Sequence, residues 1–270
     1  MANPPDVVTS IDTPEALSLA AETVPEVPRI LEVHTPYEEN LEYLRGLSSS
    51  SAKAVFVPSE HQKRVVEARL RHRWPIRVIP NALSYLFASP RQSQATRPQR
   101  PIVAWIGRLD FLKQWALALH IFAGLRDGAT IPELWVVGSA PLRRTTRELY
   151  SLARRLGVLR DLRWFKGVRY DAIPSFLAAV RTSGGVVLST SRGESFGMVV
   201  AEAMASGCLA VAPRLGPFHE LLTHGVTGLL YRPGSVKDGA RSVSWAIDNP
   251  GESRTMAVQA RSDALARFRP

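Results

Sequence analysis

The chain has 270 residues, of which 45% are hydrophobic and 21% are charged, and this length is sufficient for two modest domains with separate cores. Its single cysteine, Cys208, excludes an intrachain disulfide and is typical of a reducing, cytoplasmic compartment. No apolar run approaches the roughly 20 residues that a membrane-spanning helix needs. The net charge is +10 at pH 7, but no nucleic-acid-binding motif accompanies it, so nucleic acid is not an expected partner.

Short apolar segments alternate with helical patterns in the first part of the chain. Strands are predicted at residues 6–8, 30–33, 54–57 and 76–79, with helices between them. This alternation is typical of a parallel sheet whose faces are covered by helices. We therefore predict a first domain over residues 1–83, built on four strands.

The alternation resumes after a break. Residues 84–100 are rich in Pro, Gln, Ser, Thr and Arg without periodicity, which predicts a linker. In a second domain, residues 101–270, strands are predicted near Val103, Leu134, Leu162, Val186, Ala210 and Leu229, and helices near Ala116, Leu149, Ser175, Val200, Leu221 and Trp245. The expected fold class is α/β, with two doubly wound, Rossmann-like parallel-sheet domains facing a cleft. Ligand is expected at the carboxyl ends of the second sheet's strands.

The most informative segment is 192–207, in which Glu194 and Glu202 flank a glycine at the start of a predicted helix. Backbone N–H groups at Gly197 and Met198, together with the helix dipole, favour a pyrophosphate there. If the span were wholly helical, eight residues would separate the carboxylates by about 12 Å. That is roughly the distance from a ribose, past two phosphates, to a hexose. The segment therefore suits a sugar nucleotide, with Glu202 accepting from the ribose and Glu194 from the sugar.

This segment resembles the Glu-x7-Glu motif of the retaining GT-B glycosyltransferases of family four. Further segments resemble motifs of that family in the same order and at the same spacing: residues 102–113, 136–141, 165–168 and 211–220. The resemblance covers residues 6–267 and is most specific over 101–233. It implies a GT-B fold and transfer of a sugar from a nucleotide diphosphate sugar to an acceptor hydroxyl.

The resemblance also implies roles for individual residues. Arg108, Lys113 and Glu194 are the implied catalytic residues, the first two through the donor phosphates. The implied donor-binding residues are Gly107, Gly138, Val168, Ser195, Phe196, Gly197, Met198 and Glu202. The implied chemistry is attack on the same face as the leaving group, with the donor phosphate accepting the acceptor's proton. It needs no metal and no cofactor.

A competing motif overlaps this segment. Residues 193–197 match the G-x-S-x-G nucleophile elbow of α/β-hydrolases, with Ser195 as the nucleophile. An elbow needs the strand to run directly into the first glycine, whereas residues 190–192 intervene. The histidines downstream, His219 and His224, have no well-placed acid to complete a triad. A serine hydrolase is therefore the remote alternative.

Basic residues are concentrated in two stretches. The denser group consists of Arg143, Arg144, Arg147, Arg154, Arg155, Arg160 and Arg163. The other, residues 63–73, has an amphipathic helical pattern of the kind that lies against anionic lipid. Family members that act on lipid-linked acceptors often dock at the membrane in this way. A solvated helix face is the favoured interpretation, and peripheral membrane contact stays open.

The first domain departs from the family pattern. Many members carry a histidine facing the reacting centre where Ile11 or its neighbours lie here. His34 resembles another family position near the cleft and is a weak acceptor-side candidate, with a core histidine as the alternative. The family's opening strands and glycine-rich loop are absent upstream of Asp6, and its closing helix is not reached, so we expect a chain truncated at both ends. The main alternative to an active transferase is accordingly a nucleotide-sugar-binding fragment that depends on a partner chain for the missing amino half.

Overall fold

A computed structural model describes residues 5–48, 50–88, 98–126, 128, 130–140 and 142–269. The chain divides into two compact units. The first comprises Met1–Asn81 with Gly193–Phe196, and the second comprises Ala82–Arg192 with Gly197–Pro270. The segment Gly193–Phe196 thus belongs to the first unit although its neighbours in sequence belong to the second.

The first unit contains a four-stranded parallel sheet with the strand order β1-β2-β3-β4. Its strands are β1 (Val8–Ile11), β2 (Arg29–Glu32), β3 (Ala54–Val57) and β4 (Ile76–Val78). They are connected by α1 (Pro14–Thr23), a 3-10 helix (Glu38–Gly46) and α2 (Glu60–Glu67). All four predicted strands are therefore present, with β1 shifted towards the carboxyl end of its predicted segment.

A small apolar core covers this sheet, and a serine fixes the start of α2. Leu31 and Val55 from the strands, with Leu44 and Val66 from the helices, are completely buried. The Ser59 hydroxyl accepts a hydrogen bond from the backbone N–H of Gln62 at 3.0 Å, which satisfies one of the free donors at the helix N-terminus.

The amphipathic helix predicted over residues 63–73 is only partly formed. Helix α2 ends at Glu67, and the chain then turns towards Trp74, which precedes Pro75. After Glu67 the regular bonding pattern of the helix gives way, because the backbone N–H of Arg69 donates to the Val66 carbonyl, three residues back, at 3.0 Å. Arg69 is folded back, since its side chain is 16% exposed and lies 3.2 Å from Glu38. The continuous basic helix face expected from the sequence is therefore absent from this stretch.

The second unit contains a six-stranded, wholly parallel sheet with the order β10-β9-β8-β5-β6-β7. The strands are β5 (Ile102–Ile106), β6 (Glu133–Val137), β7 (Leu162–Phe165), β8 (Val186–Leu188), β9 (Leu209–Pro213) and β10 (Leu229–Tyr231). The order reverses between β5 and β8, which is the Rossmann arrangement. Ligands of such sheets bind at the carboxyl ends of the strands on either side of the reversal.

Helices cover both faces of this sheet. They are α3 (Tyr85–Ala88), α4 (Trp115–Ala123), α5 (Arg143–Arg155), α6 (Ile173–Thr182), α7 (Met198–Ala205), α8 (Phe218–Leu221), α9 (Val236–Asp248) and α10 (Pro250–Phe268). The inner strands β8 and β9 are buried at every position, which accounts for their continuous apolar sequences, whereas the edge strand β7 has no buried residue. No helix in the described ranges is both long enough and apolar enough to cross a membrane.

Two features of the second unit were not expected. Residues 84–100 were predicted to be a linker, but Tyr85–Ala88 is a helix of the second unit; residues 89–97 lie outside the described residues. The long helix α10 was not predicted at all. It is tied to the start of the second unit, because the Leu83 N–H donates to the Phe268 carbonyl at 2.8 Å.

Candidate functional site

Two strand-to-helix turns of the second sheet touch through their backbones. Gly107 follows β5, and Gly138 follows β6 with a φ of +153°. A Cβ atom on Gly138 would lie 1.8 Å from the carbonyl oxygen of Gly107, so no residue with a side chain fits there. Both predicted glycines thus lie at the carboxyl edge, where they bring the two turns into contact.

The turn after β5 is organised by a carboxylate. Asp110 accepts from the backbone N–H of Lys113 at 2.9 Å and lies 3.2 Å from Nε of Arg108. The Arg108 side chain is 61% exposed, and Lys113 is half-buried. The two predicted phosphate ligands therefore lie in the same turn, next to the point where the strand order of the sheet reverses.

The loop after β8 is bonded to this turn. The Thr190 hydroxyl accepts from the Trp105 indole at 2.8 Å and lies 2.8 Å from the Lys113 carbonyl. In addition, the Arg192 N–H donates to the Leu112 carbonyl at 2.8 Å. The two loops that flank the reversal are thereby joined into one structure. Sequence reasoning did not identify Thr190, because its role depends on contacts with residues about 80 positions away.

Helix α7 begins at the predicted glycine. Gly197 has a φ of +96°, and a Cβ atom on it would lie 2.9 Å from the Phe218 ring. A left-handed backbone conformation and this close approach both require glycine. The first N–H groups of α7, beginning at Met198, have no acceptor within the helix and carry the positive end of its dipole. This helix start is suited to an anion.

Glu202 lies on α7 with its side chain almost completely buried. It is 7% exposed, and its Oε1 accepts from the Tyr170 hydroxyl at 3.1 Å. Burial raises the pKa of Glu202 to about 7, although the hydrogen bond from Tyr170 opposes the shift. Burial and the neighbouring carboxylate raise the pKa of Tyr170 to about 12, so the phenol keeps its proton and acts as the donor. Tyr170 was not identified from the sequence.

The remaining predicted residue of the second unit follows β7. Val168 is half-buried and lies two residues before Tyr170. Lys166, two residues before Val168 in the same motif, has its Nζ 5.3 Å from the centre of the Trp164 ring. The predicted residues Gly107, Arg108, Lys113, Gly138, Val168, Gly197, Met198 and Glu202 thus all follow strands of one sheet, within one unit.

Three further predicted site residues lie in the segment Gly193–Phe196, which belongs to the first unit: Glu194, Ser195 and Phe196. The Ser195 carbonyl accepts from the Ser59 hydroxyl at 2.6 Å, and Phe196 is 4% exposed. The carbonyl bond anchors the segment to the start of α2.

The hydrolase alternative gains no support from this geometry. Strand β8 ends at Leu188, so residues 189–192 separate it from the glycine at which an elbow would begin. Of the two candidate histidines, His224 accepts the Leu230 N–H through Nδ1 at 2.9 Å, which gives it a structural role at the edge strand. His219 lies next to Glu220 in the short helix α8.

The acceptor-side candidate His34 lies just after β2 in the first unit. Its Nε2 is 3.2 Å from Glu32, and its backbone N–H lies 3.1 Å from a carboxylate oxygen of Asp12. Burial raises the pKa of Asp12, while the backbone bond from His34 works against the shift. His34 is therefore part of a polar cluster at the carboxyl edge of the first sheet, with its side chain 29% exposed.

The arginine-rich stretch of the second unit is partly paired with acids. Arg144 bonds to Glu148 at 2.7 Å along α5, and Arg163 lies 2.8 Å from Glu133. Such exposed pairs contribute little to stability.

Residues 88–263 match the family model of glycosyl transferases group 1, which is more than half of the chain. The chain belongs to this family. The D-inositol 3-phosphate glycosyltransferase of Corynebacterium aurimucosum is 31% identical over 151 residues, covering 55% of this chain and 35% of that protein. The enzyme of the same name from Nocardia farcinica is 28% identical over 217 residues, covering 76% of this chain and 47% of that protein. The chain spans less than half the length of these curated relatives.

Solved structures agree with the family assignment. Anabaena HepE in complex with UDP and glucose matches with a TM-score of 0.84 at 26% identity, covering 98% of this chain and 74% of that one. Sucrose-phosphate synthase from Thermosynechococcus elongatus matches with a TM-score of 0.85 at 19% identity, covering 98% and 70%, which is a likeness of fold. The resemblance inferred from the sequence and the GT-B fold class are thus confirmed.

Proposed function

We propose that this glycosyltransferase is a retaining enzyme that transfers a sugar from a nucleotide diphosphate sugar to an acceptor hydroxyl. One observation carries the proposal. At the point where the strand order of the second sheet reverses, a cationic turn follows β5, and a helix that begins after a glycine and bears a buried carboxylate follows β8. The turn bears Arg108 and Lys113, which lie next to a carboxylate and a glycine contact that fix its backbone. The helix bears Glu202. This combination of an anion site and a hydroxyl acceptor matches a sugar nucleotide.

Each group has a role in the proposed donor complex. Glu202 accepts from the ribose hydroxyls, and the N-terminus of α7 binds the pyrophosphate. Arg108 and Lys113 contact the same phosphates, and Glu194 accepts from the sugar. Because HepE, a structural neighbour, was solved with UDP and glucose and with UDP-glucose, UDP-glucose is the donor to test first.

The proposed reaction relies on charge stabilisation. The bond between the anomeric carbon and the phosphate oxygen breaks while the acceptor oxygen bonds to the same face of the sugar. The departing phosphate takes the proton of the acceptor hydroxyl. Negative charge on that phosphate is offset by Arg108, Lys113 and the helix N-terminus. The proposal includes no metal and no cofactor.

A second candidate is a chain that binds the nucleotide sugar but transfers it only with a partner chain. The observation that favours it is the uneven make-up of the two units, four strands against six. The two candidates share the donor site and differ only in turnover. A candidate acceptor, a lipid membrane or a partner chain can each be added to the turnover assay described next.

The test is a turnover measurement with product analysis. Incubation with UDP-glucose and candidate hydroxyl acceptors should release UDP, and proton NMR should find the α-anomer of the donor retained in the product. Arg108→Ala and Lys113→Ala should lower kcat by about 10²-fold or more, the range for removing a donor that stabilises developing charge, and affect donor affinity less. Arg160→Ala and Lys237→Ala, at exposed positions of the same unit, are the matched controls.

Three outcomes separate the candidates. A β-linked product would contradict the retaining mechanism. UDP binding without turnover in any acceptor mixture would favour the partner-dependent chain. Equal turnover in the Arg108, Lys113 and control variants would contradict the assigned roles.

A further inference from the structure

Tyr170 contacts the buried carboxylate but lies outside the family motifs found in the sequence. It begins the 3-10 helix Tyr170–Ala172 after β7. Tyr170 is 51% exposed as a residue, and its ring centre lies 5.6 Å from that of the buried Phe87 in an edge-to-face contact. The contact with α3 holds the ring, and the hydroxyl is directed at Oε1 of Glu202.

The burial of the Glu202 carboxylate makes it harder for this group to accept hydrogen bonds from hydroxyls. A carboxylate with 7% exposure has lost most of its hydration, and burial favours the protonated form. A protonated carboxyl is a poorer acceptor for two ribose hydroxyls than an ionised one. The Tyr170 hydroxyl is the group that compensates, since it donates to the charged form.

We propose that Tyr170 is a positioning residue for the donor ribose, whose hydroxyl holds one oxygen of Glu202 and keeps the carboxylate ionised, with its other oxygen directed at the ribose diol. The inference rests on the proposed function, because it takes Glu202 as the ribose ligand. Tyr170 acts through Glu202 and needs no contact of its own with the reacting atoms.

In the part of the chain that the structure describes, the other charged groups near α7 do not perform this task. Those on the elements around α7 include Asp171, Arg181, His219, Glu220, Arg261 and Arg267. Arg181 and Arg261 donate to the carbonyls of Ser206 and Ala205, at the opposite end of α7 from its anion site. Burial and the Tyr170 hydroxyl are the two influences that set the pKa of Glu202.

The test is a calorimetric titration of UDP into wild type, Tyr170→Phe and Tyr150→Phe between about pH 6 and pH 9. Tyr150→Phe is the matched control, because the Tyr150 ring is 41% exposed and packs edge-on against Trp164 at 5.7 Å. Phenylalanine at position 170 keeps the ring contact with Phe87 and removes only the hydroxyl. The pKa of Glu202 then rises, so UDP affinity should fall roughly tenfold near pH 7 and return to within about twofold of wild type near pH 9. Tyr150→Phe should follow wild type at every pH.

A Tyr170→Phe protein that follows wild type at every pH, or that loses the same factor at every pH, would overturn the positioning role. In a Glu202→Gln background, which cannot ionise, Tyr170→Phe should cause no change in pH dependence, and a remaining shift would also overturn it. Failure of the donor site itself is recognised separately. Wild type that binds neither UDP nor GDP, or Glu202→Ala that binds the wild-type nucleotide as tightly as wild type does, would remove the proposed function and this inference together.

Discussion

The guanidinium of Arg261 donates through Nη2 to the carbonyl oxygen of Ala88 at 2.7 Å. Its Nη1 donates to the Ala205 carbonyl at the end of α7, and Arg181 donates to the adjacent Ser206 carbonyl at 3.0 Å. One side chain of α10 thus joins the end of α3 to the end of the helix that carries Glu202. Cations at this position also complement the negative end of the helix dipole.

Replacing Arg261 with Ala should loosen both segments that it joins. Loss of bonds from a charged donor to two carbonyls should lower the free energy of unfolding by about 2–4 kcal/mol. Hydrogen exchange should accelerate in the last turn of α7 and in residues 84–88. Arg254→Ala is the control on the exposed side of the same helix. Equal exchange in the two variants would show that the Arg261 bonds have no structural role.

Replacing Gly138 with Ala should disrupt the carboxyl edge of the second sheet. The added Cβ would overlap the Gly107 carbonyl, and backbone at a φ of +153° is strained for alanine, so we expect a loss of about 3 kcal/mol or more. Nucleotide affinity should fall with it, because the turn that bears Arg108 has to move. Gly251→Ala, in α10 with open space around it, should be neutral or slightly stabilising. Denaturant midpoints compare the two, and a Gly138→Ala protein as stable as Gly251→Ala would contradict the contact.

Replacing Glu202 with Gln should stabilise the protein above neutral pH. Burial raises the pKa of Glu202 from its ordinary value of 4.5 to about 7, so the folded state binds this proton more tightly than the unfolded state. The wild-type free energy of unfolding should therefore fall as the pH rises from 4.5 to about 7, by at most about 3 kcal/mol. Glutamine does not titrate, so the variant avoids this loss.

The measurement is denaturant unfolding of both proteins at several pH values. The variant's advantage should be largest above about pH 7 and vanish near pH 5. A difference in stability that does not change across this range would show that Glu202 is not the titrating group.

Amides of the first sheet should exchange faster than those of the second. Among the described residues, the core cluster of the first unit contains nine buried apolar residues, and the main core of the second contains 24. Less apolar burial gives a lower free energy of opening. Hydrogen exchange followed by mass spectrometry should find β1 to β4 less protected than β5, β6 and β8. Uniform protection of both sheets would contradict this expectation.

The inner strands of the second sheet, such as β5, β8 and β9, were predictable because their apolar runs are continuous. Val186–Leu188, for example, is buried at every position. Strand β1 was placed too early, because it contains a buried Ser10 whose hydroxyl bonds to the Thr13 carbonyl, and the exposed Ile11. Polar and exposed residues of this kind weaken the apolar pattern that identifies a strand.

Two helices could not be found from the sequence, for different reasons. Helix α10 faces the core largely with alanines, including Ala257, Ala260 and Ala264, and small residues give a weak hydrophobic period. Helix α3 is four residues long and is held by the packing of Phe87 against Tyr170. That contact joins parts of the chain more than 80 residues apart, so local propensity does not reveal it.

The predicted site residues belong to recognisable sequence motifs, whereas their structural environment cannot be read from those motifs. Glu202 was recognisable from its spacing to Glu194, but its burial and its bond to Tyr170 depend on α7 lying beside the turn after β7. Gly138 was recognisable as a turn glycine, but its contact with Gly107 arises only when β5 and β6 pair. The motifs therefore indicated the candidate site, and the tertiary structure was needed to describe the electrostatics of its residues.

The central claim is that Glu202 is the ribose ligand of a nucleotide bound at the reversal of the second sheet. Calorimetric titration of UDP and of GDP into wild type and Glu202→Ala tests it most directly. Wild type should bind one of the two nucleotides, and Glu202→Ala, with unchanged circular dichroism, should lose about 1.5–3 kcal/mol of that binding free energy, the range for hydrogen bonds to a charged group. Unchanged affinity in folded Glu202→Ala protein for the nucleotide that wild type binds would contradict the assignment of the donor site.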